Sequence, residues 1–184
     1  MCHVTSVPSD YGVGDFGRSS REFIDFLASQ KLNVWQILPL NETNEYNCPY
    51  ASTCYFSYDE MFVDVEALVD AGKVDRKELS QLKKYAKTKK VKYTPVKTEK
   101  RRILEIAYAN MDAKTHSKLV AFAEENPDVF NYGYYKTLLD INNTKNWRDI
   151  DKVYWSNKTK EYKAFVEANL HSIYKYVYFQ YLQR

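Results

Sequence analysis

The groups in this chain that carry chemical potential are scattered, and few of them stand at spacings that would let them act together. Gly12, Gly14 and Gly17 match G-x-G-x-x-G ahead of an expected helix. A dinucleotide fingerprint follows directly on a buried strand, whereas Pro8, Ser9 and Asp10 intervene here, and Asp15 would point a negative charge at a pyrophosphate. The glycines are therefore expected to form a tight turn. Asp15, Glu42, Glu45, Asp59, Glu60 and Asp64 form no recognisable acid/base pair and read as surface charge. No serine, histidine and acid pattern is visible, nor a phosphate loop. Cys2, Cys48 and Cys54 share no zinc-like spacing with His3, His116 or His171, so no metal site and no cofactor is expected. One place remains: Asn47-Cys48-Pro49-Tyr50, where turn chemistry and a polar aromatic group follow an apolar run.

That run, Asn33-Val34-Trp35-Gln36-Ile37-Leu38-Pro39-Leu40, reads as a strand buried on both faces. A strand of this kind delivers a binding site at the loop after its C-terminal end. Before it, Ser19 and Glu22 have the spacing of a capping box, and Phe23, Ile24, Phe26 and Leu27 predict a helix from about Ser20 to Gln30 that lays an apolar face on a sheet. Helix beside buried strand indicates an α/β fold.

Composition excludes disorder and a membrane span: 45% of residues are hydrophobic and 28% charged, with no apolar run long enough to cross a bilayer. Odd, unpaired cysteines and the absence of a signal-like N-terminus point to a reducing compartment, the cytoplasm. The net charge of +3 makes no general case for nucleic acid. Its local excess, the ten cations from Lys83 to Arg102 facing only Glu99, reads as a solvated helix and turn, with a polyanion site as the alternative. The 17 tyrosines suit packing between helices, or wet interfaces and sugar faces.

Thr5-Ser6-Val7-Pro8-Ser9, Tyr11 to Gly17, Phe23 to Leu27, Trp35 to Leu40 and Pro49-Tyr50 together resemble the start of the 4-alpha-glucanotransferases, also called amylomaltases or disproportionating enzymes. The similarity continues through Ser52, Phe56, Asp64, Leu68 and Gly72. It extends more weakly over Val91 to Lys97, Asn126 to Leu139, Trp147, Trp155 and the closing helix. The resemblance implies an N-terminal part of a (β/α)8 barrel, with the 33–40 run as first strand and a helical insertion behind it. In those terms residues 1–40 begin the barrel, 41–157 form the insertion with the substrate loop, and 158–184 lead back to the barrel. It also implies transfer of α-1,4-glucan segments to a sugar 4-hydroxyl, with retention and without a cofactor.

Tyr50 stands where the family has a tyrosine contacting the sugar beside the scissile bond, and Cys48 stands at its serine; an aromatic face suits the CH-rich side of glucose. Asn41, Glu42, Asn44 and Glu45 replace the glycines and proline usual in that loop, Ala51 its glutamine, and Tyr58-Asp59-Glu60 its Gly-Asn-Pro. The catalytic carboxylates belong to later barrel strands, so no catalytic residue is expected here and the chain alone should be inactive. The alternative is a non-catalytic remnant that binds α-glucan or a protein.

The remaining sequence predicts helices: Glu66 to Val69 stopping at Gly72, Lys77 to Tyr85, Glu99 to Asn126 with a break near Met111 to Thr115, one starting at Pro127, and one from about Lys158. The last carries a broad apolar side and stops at Arg184 in mid-pattern, which predicts truncation.

Overall fold

The glycine-rich opening sets the first unit's architecture. Gly12 adopts φ +83°, and a Cβ on Gly14 would lie 1.9 Å from the Val4 carbonyl oxygen, so both positions require glycine. The turn they allow brings Asp15 inside, where its carboxylate accepts from the Gly17 N–H at 3.0 Å and from Lys100 Nζ at 2.6 Å. Helix α1, Arg18–Ser29, therefore starts from Gly17. The expected capping box is not formed, because the turn at Asp15 fixes the start earlier and Ser20 donates to the Asp15 carbonyl instead.

The computed structural model describes residues 1–184, and all of its regular elements are helical. After α1 come α2 (Val65–Asp70), α3 (Ser80–Lys83), α4 (Tyr93–Ala109), α5 (Ala113–Glu125), α6 (Pro127–Ile141) and α7 (Lys160–Tyr181). Short 3₁₀ turns fill several of the connections. Residues 1–111 form one packed unit and 112–182 a second. No helix is long and apolar enough to cross a membrane.

The 33–40 run corrects the strand expectation, and with it the α/β class as something these residues build among themselves. It is extended but belongs to no sheet, and the chain has only two isolated bridges, Asn41 with Tyr58 and Thr43 with Ser52. Apolar composition decides what a segment is able to bury, but a strand exists only where another backbone pairs its N–H and C=O groups. Here the partners are Cys2 and His3, with Asp59 N–H at the Leu40 end. Cys2 N–H donates to the Gln36 carbonyl at 3.1 Å, Trp35 Nε1 to the Cys2 carbonyl at 2.7 Å, and Leu38 N–H to His3 Nδ1 at 3.2 Å. Val34 is 80% exposed, and the α1 residues Ile24 and Phe26 are exposed as well, so the helix has no sheet beneath it.

The first unit's core gathers Val4, Leu79, Leu82, Val96, Ile103 and Leu104, all without exposed surface. Asp64 caps α2 through the N–H groups of Glu66 and Ala67, and Gly72 ends it at φ +66° with Lys73 N–H reaching the Leu68 carbonyl. The second unit is built on α6 against α7. A Cβ on Gly133 would lie 2.7 Å from the Ile173 carbonyl, so its absence lets the two helices close, and Phe130, Tyr132 and Tyr134 meet Tyr174, Tyr176 and Tyr162 edge-on or tilted. The helix α7 bends at Asn169, whose side chain donates to the Phe165 carbonyl at 2.8 Å.

Candidate functional site

Cys48, Pro49, Tyr50 and Ala51 form one β-turn, closed by the Ala51 N–H donating to the Cys48 carbonyl at 3.0 Å. Proline at the second position presets its φ, and Tyr50 in the third has an ordinary negative φ, which makes this a type I arrangement. The turn holds the phenol ring outward, 72% exposed. The two sequence-designated residues, Cys48 and Tyr50, thus lie in one four-residue structure.

Around that turn the chain from Leu40 to Asp59 folds back on itself. The Asp59 N–H donates to the Leu40 carbonyl at 2.9 Å, Asn44 N–H to Ala51 at 3.2 Å, and Thr53 N–H to Glu42 at 3.2 Å. Ser52 Oγ donates to the carbonyls of Glu42 and Cys54 at 3.0 and 2.7 Å. The loop completes this path with one left-handed residue, Asn47 at φ +54°, a residue type that tolerates that conformation. With no glycine between Asn41 and Tyr50, the segment still takes a defined path.

The anchor is a group the sequence reading treated as surface charge. Asp59 is buried; its Oδ1 accepts from Met61 N–H at 3.0 Å, and its Oδ2 from Thr43 N–H at 3.2 Å and Lys97 Nζ at 2.7 Å. Lys97 also donates to Thr43 Oγ1 at 2.6 Å. One turn further along α4, Lys100 reaches Asp15 and the carbonyls of Met61 and Val63 at 2.6, 2.7 and 2.9 Å, while Arg101 clasps Glu60 with two bonds of 2.8 and 3.1 Å. Arg102 pairs with Glu78 at 2.7 Å and Glu99 at 3.0 Å. The C-terminal half of the basic run is accordingly an internal scaffold instead of a solvated face, and Asp15, Asp59 and Glu60 are its buried partners. The signal for it was present: Lys97, Lys100 and Arg101 share one face at helical spacing, and their acids lie far away in sequence.

Beside the loop's entry, burial lowers the pKa of His3, which keeps its Nδ1 available to the Leu38 N–H. Cys2, Cys48 and Cys54 are free thiols. The exposed rings of Tyr46, Tyr55 and Phe56 join Tyr50 on the loop, giving it apolar faces with polar tips. The carboxylates of this unit whose roles are fixed, Asp15, Asp59, Glu60, Asp64 and Glu66, serve as ion-pair partners or caps. Chemically the loop is equipped to hold a ligand by ring contacts and hydrogen bonds.

Comparison with known proteins bears on the family alone. The family model described as 4-alpha-glucanotransferase matches residues 2–184. The 4-alpha-glucanotransferase of Clostridium butyricum is 28% identical over 97% of the chain, and that of Thermus thermophilus 38% identical over 40% of it. An amylomaltase from Streptococcus agalactiae, solved in complex with acarbose, superimposes with a TM-score of 0.86 over 98% of the chain at 24% identity. The chain spans 37% of the length of the Clostridium relative and of the amylomaltase. With the family model matched over nearly every residue, the chain belongs to the 4-alpha-glucanotransferase family.

Proposed function

We propose that this chain is the N-terminal portion of a 4-alpha-glucanotransferase, presenting Tyr50 to a glucose unit of an α-1,4-glucan while leaving the bond-breaking chemistry to residues it does not contain. In this reading the extended 33–40 segment corresponds to the first strand of a (β/α)8 barrel, residues 41–157 to an insertion carrying the substrate loop, and 158–184 to the return. Cys48 and Tyr50 are the substrate-binding residues. The observation that carries it is the outward ring of Tyr50 on a turn whose flanks are tied to Asp59 and Lys97.

A retaining transfer needs one carboxylate to attack the sugar and a second carboxyl group to protonate the leaving oxygen, about 5 Å apart. The well-placed acids of this unit already face cations or helix N-termini, where a negative charge is held in place and withheld from a substrate. In this reading the isolated chain binds α-glucan without cutting it, requires no cofactor, and works in the cytoplasm. Calorimetric titration with maltoheptaose tests the binding half: Tyr50→Ala removes part of the binding heat present in the wild type. Identical isotherms for the two proteins would contradict the role given to Tyr50.

A further inference from the structure

The second unit contains an aromatic cleft that the substrate loop does not account for. Two successive 3₁₀ turns, Trp147–Asp149 and Lys152–Tyr154, are capped by the side chains of Asn146 and Asp151 and bring Trp147 and Trp155 together with ring centroids 5.0 Å apart. Tyr134 on α6 forms the back wall. Its hydroxyl donates to the Tyr154 carbonyl at 2.8 Å, and its ring lies 4.4 Å from that of Tyr162 at the start of α7. The cleft is open on one side and offers about 600 Å³, the size of a small-molecule site.

Its chemistry is selective. Every side chain lining the cleft is uncharged, in a protein where 28% of residues are charged. The apolar surface is mostly aromatic, with Leu138 and Ile150 beside the rings, and the polar surface comes from amides and hydroxyls, including Asn131, Ser156 and Asn157. Burial raises the pKa of Tyr134 and Tyr162, so these phenols remain neutral around physiological pH. The nearby cations are turned onto ring faces: Arg148 lies 4.8 Å from the centre of Trp147, and Lys152 5.9 Å from that of Trp155. Trp147 and Trp155 nevertheless stay 43% and 50% exposed, large apolar area left in contact with water. The ligand that matches is neutral, rich in hydroxyls, and has CH faces to lie on rings.

The angle between the indoles narrows the class. Their planes meet at 55°, forming a corner. A flat β-1,4-glucan ribbon needs coplanar platforms, whereas successive glucose units of an α-1,4-glucan turn relative to one another and are able to meet two tilted faces in sequence. We infer that the Trp147–Trp155 cleft is a second α-1,4-glucan site, separate from Tyr50. The choice of α-glucan over other neutral sugars rests on the family reading of the substrate.

The full-length chain carrying Trp35→Phe leaves the two cleft indoles as its only tryptophans, since the protein has three. Titration of this variant with maltoheptaose is expected to change its tryptophan emission saturably. The change persists when Tyr50→Ala is added, weakens about tenfold with Trp155→Ala, and is largely restored by Trp155→Phe, which keeps an aromatic face. No response in the Trp35→Phe protein, or one that Trp155→Ala leaves unaltered, would overturn the cleft while leaving the Tyr50 reading intact. An equal response to cellohexaose would overturn the assignment to α-glucan. Loss of the response with Tyr50→Ala would equally overturn it, because a single site at the loop would then explain all binding.

Discussion

Lys100 has no exposed surface and survives inside the protein because Asp15 and two carbonyl oxygens take all three of its N–H donors. Lys100→Met keeps the length but strands the Asp15 charge, and is expected to cost about 3–5 kcal/mol, read as a lower urea midpoint at constant m-value. Lys97→Met is only partly buried and should cost less, yet it frees the loop that carries Tyr50 and so weakens maltoheptaose binding out of proportion to its effect on stability. His3 gives a pH dependence. Its pKa in the folded chain lies below the ordinary 6.5, so the unfolded chain takes up the proton first, and stability present above that value is lost as pH falls through it. A protonated Nδ1 also loses its bond from Leu38 N–H. In a Trp147→Phe, Trp155→Phe background, Trp35 emission should shift to the red as pH falls below about 6.5, and His3→Asn should abolish the shift.

At the scale of elements, helices were legible where local chemistry decides them. Gly72 closes α2, Pro127 opens α6, and the break expected near Met111 falls at Asn110–Asp112, where Asp112 caps α5 through Thr115 N–H at 2.7 Å. Elements that depend on distant partners were not. The 33–40 run has the composition of a buried strand without a ladder, and α1 sets Phe23 against Trp35 but leaves Ile24 and Phe26 of its apolar pattern exposed. Ile141, the last residue of α6, is exposed, because Gly133, Thr137 and Tyr134 turn the buried face toward α7. That contact makes its own prediction. Gly133→Ala must push a methyl against the Ile173 carbonyl and should cost about 1–3 kcal/mol, seen as a lower melting temperature by circular dichroism, while Gly72→Ala, with open space but φ +66°, costs about 1 kcal/mol through backbone strain.

For the molecule as a whole, the family was legible because its signature is concentrated in contiguous motifs from Thr5 to Gly17 and from Trp35 to Tyr50. The Cys48–Ala51 turn was legible for the same reason: Cys48 and Tyr50 are close in sequence and remain together in space. The charge scaffold was hidden, since the partners Asp15 and Lys100 are separated by 85 positions and each looks like surface charge alone. The tryptophan cleft was visible only as an aromatic connection, because its walls come from two helices and two turns. Together these features describe a chain with exposed ring surfaces on the 40–59 loop and with Asp15, Asp59 and Glu60 committed to holding the fold. Incubation of the pure 184-residue chain with maltotriose tests that division most directly. Maltotriose should be recovered unchanged; release of glucose with a ladder of longer maltooligosaccharides would contradict it.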